Sequence, residues 1–246
     1  MSSLLIATIC HGRIIGEGYF HSTLSTISLL QSKGHTADIK TFPNDILVPR
    51  TRNNVLAYFL STKHDKLIFI DADISYPPQA VLDLLESDKE ICGVPYAGTS
   101  RDWDQALKFT KKMLSEGKDI MAKDLMHSTL HFNLNQKAKD STPEERESGW
   151  VEVNALAAGF MMIDRRALQK MVDHYKGDLQ YKNMTKAYAS STPQEFCVAL
   201  FDTTIDPETK TYLSDDVVFC RRFKAIGGKI FAYIKPRLKR AGNTDF

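Results

Sequence analysis

The stretch Leu67-Ile68-Phe69-Ile70-Asp71-Ala72-Asp73 decides how this chain is read. Four consecutive large apolar residues predict a strand covered on both faces, as in the middle of a parallel sheet. Two carboxylates follow at i and i+2. That spacing points both side chains the same way in an extended backbone and to roughly opposite sides in a helix. Ile74, Ser75, Tyr76, Pro77 and Pro78 then end the strand, which leaves the aspartates at its C-terminal mouth, where open α/β sheets bind ligands. Two hard oxygen donors suit Mg2+ or Mn2+, which take one or two protein carboxylates and fill their other positions with water and phosphate oxygens. The competing expectation is an Asx turn that closes the strand with both aspartates solvated.

Toward the N-terminus, Leu4 to Ile9 predicts a first strand that opens into the glycine-containing loop Cys10 to Gly18. Tyr19 to Gln31 has helical spacing of Leu24, Ile27, Leu29 and Leu30, with Gly34 as the stop. The glycines miss the G-x-G-x-x-G register, so the loop suits the base and ribose of a nucleotide better than a dinucleotide. Thr36 to Phe42 predicts a second strand. Arg50, Arg52, Asn53 and Asn54 then open a helix with Val55, Leu56, Phe59 and Leu60 on its apolar side. Arginines oppose the positive end of a helix dipole. Either an anion is shared there with backbone N–H groups, or both side chains face solvent.

Toward the C-terminus, Pro78 to Glu86 predicts a short helix and Ile91 to Pro95 another strand. This alternation indicates a mainly parallel, layered α/β sheet. From Asp102 to Gly149 the texture turns polar, with an amphipathic helix over Asp104 to Gly117 and an exposed loop over Lys137 to Ser148. Trp150 to Ile163 is apolar apart from Glu152 and Asn154, which share a strand face that lines a pocket or meets water. Gly159 lies where backbone approaches a ligand, and a helix begins at Asp164-Arg165-Arg166. Asp173 to Gln194 is a second polar loop and Phe196 to Phe201 a strand. Ser214 stands as N-cap for a helix with Asp215 and Asp216 in its first turn, and capping explains those three residues without any chemistry. Gly227-Gly228 ends that helix before a last strand, Lys229 to Ile234.

The 246 residues are 43% hydrophobic and 25% charged, ordinary values for one soluble domain with a sizeable core. A net charge of +2 gives no general drive toward nucleic acid or membrane. Lys235, Arg237, Lys239 and Arg240 gather near the end, either as a solvated tail or as a phosphate-facing edge. Cys10, Cys92, Cys197 and Cys220 form no C-x-x-C pair and are expected as reduced core residues. No run approaches a membrane span and Met1 to Cys10 lacks the marks of a signal peptide. The expectation is therefore a cytoplasmic protein. It forms a single domain over residues 1–246, with polar insertions near 102–149 and 173–194.

Four segments, in their order and spacing, carry a resemblance: Val48-Pro49-Arg50-Thr51-Arg52-Asn53, Phe69-Ile70-Asp71-Ala72-Asp73-Ile74, Ala158-Gly159-Phe160-Met161-Met162-Ile163, and Phe201-Asp202-Thr203 through Ile226-Gly227-Gly228. The chain resembles the nucleotide-diphospho-sugar glycosyltransferases of the GT-A fold, especially the compact set with phage, viral and bacterial members. The resemblance implies a Rossmann-like, mainly parallel sheet flanked by helices. It also implies transfer of a hexosyl or pentosyl group from a UDP- or GDP-sugar to a hydroxyl of a glycan or other acceptor. Asp71-Ala72-Asp73 would hold Mn2+ or Mg2+ against the donor's diphosphate. Thr8, Cys10 and His11 would contact the nucleotide, and Arg52 would lie near the base or phosphates. Asp215-Asp216 stands where the family usually has Glu-Asp, and Asp216 falls on the general base of inverting members. One position departs from the pattern: Leu-x-His-x-Gly reads Leu238-Lys239-Arg240-Ala241-Gly242 here. A guanidinium cannot ligate a metal, but it can pair with diphosphate directly. Two rival functions remain. A sugar nucleotidyltransferase would show a basic glycine-rich first loop, which Cys10 to Gly18 lacks. A catalytically inactive GT-A-like module that binds carbohydrate or a partner is favoured by Arg240.

Overall fold

A computed structural model of the chain describes residues 1–43, 46–101, 103–121, 130–132, 142–183 and 192–241. In chain order the first elements are β1 (Ser3–Cys10), α1 (Glu17–Ser32), β2 (Thr36–Pro43), α2 (Val48–Ser61), β3 (Lys66–Ile70) and β4 (Ile74–Ser75). Next come α3 (Pro78–Glu86), β5 (Ile91–Gly93), β6 (Ala97–Arg101), α4 (Trp103–Ser115), β7 (Leu130–Phe132) and α5 (Pro143–Ser148). The chain continues with β8 (Trp150–Val153), β9 (Phe160–Asp164), α6 (Arg165–Leu179), β10 (Thr204–Ile205) and β11 (Tyr212–Leu213). It finishes with α7 (Asp215–Ala225), β12 (Ile230–Tyr233) and β13 (Lys239–Arg240).

Seven strands form one sheet in the order β2-β1-β3-β9-β5-β12-β8. β1 pairs parallel with β2 and β3, and β12 pairs parallel with β5. β9 runs antiparallel between β3 and β5, and β8 is antiparallel to β12 at the edge. Most strands therefore share one direction, with β8 and β9 opposed. The expected parallel surround of β3 holds on its β1 side only.

β3 is buried throughout because each face meets a helical layer. Leu67 and Phe69 join a core with Val55, Phe59, Leu168, Phe219 and Phe223 from α2, α6 and α7. Ile68 and Ile70 join a second core with Tyr19, Leu30, Val81 and Leu84 from α1 and α3. Burying a side chain of this size is worth roughly 1.5–3 kcal/mol, so a strand apolar on both faces holds the two layers together. The four cysteines are all buried. Among the described residues no helix is long and apolar enough to cross a membrane.

Several expectations need correction. The run Trp150 to Ile163 divides into β8 and β9, which are not neighbours in the sheet. Asn154 therefore does not share a strand with Glu152. Its side chain accepts from Lys224, while Glu152 pairs with Lys229 at 3.6 Å. Phe196 to Phe201 is no strand: a 3-10 turn at Gln194–Phe196 leads into irregular backbone. One antiparallel bridge, Val198 to Gln180, ties it to the end of α6, with Ala199 N donating to Leu179 O at 2.9 Å, and side chains satisfy much of the rest. Asn53 exchanges two hydrogen bonds with Phe201, at 2.7 and 2.8 Å, and Arg222 donates to the carbonyls of Ala199 and Leu200. α6 runs to Leu179, so the polar stretch from Asp173 begins as helix. Its amphipathic spacing of Ala167, Leu168, Met171 and Val172 carries the helix past the point where composition turns polar. Of the loop expected over 137–148, residues 137–141 lie outside the described residues and Pro143–Ser148 is helical. The basic C-terminal cluster is not a solvated tail at Arg240. β13 pairs antiparallel with β4, and Ala241 N donates to Asp73 O at 2.8 Å.

Candidate active site

β3 ends at Ile70, and the chain turns at once. Ile74 N donates to Asp71 O at 3.1 Å, and Asp71 N donates to Gly159 O at 2.8 Å. Asp71 and Asp73 thus leave the strand in a turn, so their common aim does not come from strand alternation. It comes from a shared partner. Arg240 Nε donates to Asp73 Oδ2 at 2.8 Å, and Arg240 Nη2 donates to Asp71 Oδ2 at 3.5 Å. β13 brings the arginine there, since its pairing with β4 sets Arg240 opposite Ile74, immediately after the turn. The guanidinium also lies over the Tyr96 ring, 5.5 Å from its centroid. A solvated Asx turn does not describe this arrangement: the side chains of Asp71 and Asp73 are 25% and 40% exposed and both are paired with Arg240.

Burial pushes the Asp71 carboxyl above its ordinary range. Arg52 and Arg240 pull it back, and Asp73 and Asp216 push it further up. Burial likewise raises the Tyr96 phenol, with the Asp71 charge adding to the effect. These four charged groups come from α2, β13, the turn itself and α7, so charges from four parts of the fold act on this one carboxyl. Gly159 is part of the same packing. A Cβ there would come within 2.5 Å of Asp71 Oδ2 and collide with the Tyr96 hydroxyl, so only a glycine lets β9 approach this closely. The close approach expected at Gly159 is made, but to Asp71 and Tyr96.

The second flank joins α2 and α7. Arg52 Nη1 donates to Asp215 Oδ2 at 2.6 Å, with the two side chains only 10% and 13% exposed. The guanidinium carbon lies 5.6 Å from the centroid of Phe201, whose ring stacks on Phe219. An arginine at the unfavourable end of the α2 dipole is thereby compensated by a protein carboxylate, not by solvent. Arg50, by contrast, is exposed. Arg52 Nε is buried without a hydrogen-bond partner. Ser214 occupies the N-cap position of α7 but makes no side-chain cap. Its hydroxyl donates to Asp216, whose Oδ1 also accepts from Val217 N at 2.8 Å. The two neighbouring aspartates therefore differ: Asp215 is spent on Arg52, and Asp216 is held by local bonds within the electrostatic reach of Asp71 and Tyr96.

The loop after β1 borders the same turn. Gly16 N donates to Ala72 O at 2.7 Å. Of the residues expected to contact a nucleotide here, His11 is exposed. Thr8 and Cys10 turn inward: the Thr8 hydroxyl pairs with the Tyr19 hydroxyl at 2.5 Å and the Cys10 thiol donates to Thr8 O. Burial raises the Cys10 thiol pKa. Tyr96 and Asn53 are the members that sequence reasoning passed over. Tyr96 had a signal, because it follows the apolar strand β5 just as Asp71 follows β3. Asn53 had none, since an amide inside a helix has many uses.

Among the described residues no group of three or more His, Cys, Asp or Glu side chains is arranged to hold a metal. Two carboxylates are nonetheless what Mg2+ or Mn2+ takes from a protein when phosphate and water complete its shell. Asp73 Oδ1 is buried with no hydrogen-bond partner, and a buried acceptor left unpaired is costly. A cation would satisfy it, so the Asp71–Asp73 donor set fits such an ion.

No family model and no curated protein matches the sequence. Among solved structures the chain is similar to A197 from STIV, at 16% identity and a TM-score of 0.48, over 98% of this chain and 85% of that one. It is also similar to GalNAc-T7, solved with UDP, GalNAc and Mn2+, at 10% identity and a TM-score of 0.47, over 97% of this chain and 43% of that one. The chain thus spans less than half the length of the GalNAc-T7 chain. Likeness of this degree carries no activity with it.

Proposed function

We propose that the chain is a glycosyltransferase of the GT-A type, acting as one domain in the cytoplasm. It moves a sugar from a UDP- or GDP-linked donor to the hydroxyl of a glycan or other acceptor, with a divalent cation. One observation carries the proposal: the carboxylates that end β3 gather with a second carboxylate pair on α7 and with two guanidiniums from α2 and β13. That combination suits a substrate carrying phosphate charge and a hydroxyl that must lose a proton. One sheet recruiting strands from β1 to β12 supports a single domain, and four buried thiols suit a reducing compartment.

Asp71 and Asp73 would hold the cation, which supplies a Lewis acid for charge building on the departing diphosphate. Arg240 and Arg52 flank those carboxylates and offer guanidinium donors to phosphate oxygens. Asp216 would take the acceptor proton as attack proceeds, a contribution of roughly 10²- to 10⁴-fold. Asp215 holds Arg52 in place and is a positioning residue. The loop from Thr8 through Cys10 and His11 to Gly16 abuts the turn at Ala72, which supports a nucleotide seat there, with His11 among its exposed side chains.

A second proposal, a GT-A-like binding module without catalysis, draws on Arg240 lying against both carboxylates. A panel of UDP- and GDP-sugars with Mn2+ separates the two. Transfer predicts thermal stabilisation by at least one donor together with Mn2+-dependent release of nucleoside diphosphate. Stabilisation without release would leave the binding module standing and defeat the transferase.

A further inference from the structure

The carboxylates proposed to receive a cation already face a charge, and that charge is built into the fold. Arg240 cannot leave as a tail could. Its strand is pinned by the β13–β4 register, by Ala241 N on Asp73 O at 2.8 Å, and by Ser75 Oγ on Lys239 O at 3.4 Å. From that fixed backbone the side chain reaches Asp73 Oδ2 at 2.8 Å and Asp71 Oδ2 at 3.5 Å, two oxygens on different residues. The Tyr96 ring gives the guanidinium a second seat beside the carboxylates. Meanwhile Asp73 Oδ1 stays buried and unpaired, so the arginine satisfies only part of what the acidic pair offers.

We propose that Arg240 is a resident cation of the Asp71–Asp73 pair and competes with a divalent ion for the same oxygens. Two positive charges sharing one carboxylate pair repel across a partly buried site, where screening by water is weak. The divalent ion therefore binds weakly while the guanidinium is seated. An incoming diphosphate provides the arginine with another partner of matching geometry. Cation and nucleotide then favour each other's binding by the same factor, as linkage requires. This last step rests on the glycosyltransferase proposal, whereas the competition itself does not.

The test is titration of MnCl2 into the wild-type chain and into Arg240→Gln, read by calorimetry and by the loss of free Mn2+ EPR signal. Each titration is run alone and with UDP or GDP. Thermal unfolding of both proteins confirms that the variant is folded, and Arg240→Lys keeps a charge at the same strand position. Arg240→Gln should bind Mn2+ about tenfold or more tightly than wild type without nucleotide, with Arg240→Lys close to wild type. The nucleotide should tighten Mn2+ binding to wild type more than to Arg240→Gln. Equal or weaker Mn2+ binding by a folded Arg240→Gln overturns the proposal, and so does undetectable binding by both. Tight binding by the variant with no response of either protein to UDP or GDP supports the resident cation and counts against the nucleotide-sugar function.

Discussion

Arg52 Nη1 lies 2.6 Å from Asp215 Oδ2, a pair formed across 163 residues of sequence. It joins the second turn of α2 to the first residue of α7 and separates two adjacent carboxylates into different tasks. Removing one member of a buried pair leaves the other charge uncompensated, at a cost of about 3–5 kcal/mol. Asp215→Ala should therefore unfold at markedly lower urea. Asp216→Asn should keep wild-type unfolding and donor binding while losing roughly 10²- to 10⁴-fold in transfer rate. Equal stability losses in the two variants would remove the distinction.

Asp71→Ala and Asp73→Ala should each abolish transfer and leave far-UV circular dichroism unchanged. Both lie in a turn after β3, and neither side chain is part of the packed core. The readout is nucleotide release from the active donor with Mn2+ present. Full activity in either variant would count heavily against the site.

Gly159→Ala adds one methyl group where Asp71 Oδ2 stands 2.5 Å away. Asp71 or Tyr96 must shift, and displacement of a reacting group by about 1 Å can cost on the order of 10²-fold in rate. The expected result is a large fall in kcat and weaker Mn2+ binding. Wild-type Mn2+ affinity in this variant would contradict the geometry.

Asn53→Ala removes the side chain that satisfies both backbone polar groups of Phe201. Leaving a buried donor and a buried acceptor unpaired costs about 1–3 kcal/mol each. Urea unfolding should register a loss of roughly 2–6 kcal/mol. A loss below about 0.5 kcal/mol, the range of ordinary surface substitutions, would mean the Phe201 segment is held by other means.

Asp206 supplies a pH test on a carboxylate that is not among the proposed site residues. Backbone N–H groups of Thr209 and Glu208 and the Arg221 guanidinium bond its carboxylate and lower its pKa from 3.8 to about 2. The unfolded chain binds the proton first, so this stabilisation is fully present above the unfolded value. It disappears as pH falls through the folded one. Asp206→Asn should lower Tm at pH 7, and its gap to wild type should close between about pH 4 and pH 2. A gap independent of pH would show that the charge contributes nothing.

Much of the architecture was legible because local pattern reports local burial. Four apolar residues in a row required covering on both sides, and β3 is covered on both sides. Pro78 and the spacing of Ala80, Val81, Leu84 and Leu85 define α3 at the bounds expected from them. Phe196 to Phe201 shows the limit of that logic. An apolar run must be buried, but whether its backbone finds a full neighbouring strand, or one bridge to Gln180 and the side chains of Asn53 and Arg222, depends on what lies opposite.

By itself, the sequence determined that two carboxylates would stand at the end of a buried strand, because covalent adjacency to four apolar residues leaves them nowhere else to go. Only the tertiary structure decided what they face. Arg240 is 167 residues from Asp73, and it arrives through a strand of two residues with no periodicity to announce it. Pairing of that kind is chosen by the competition among all possible long-range contacts, a sum over the whole chain that no local window of residues contains.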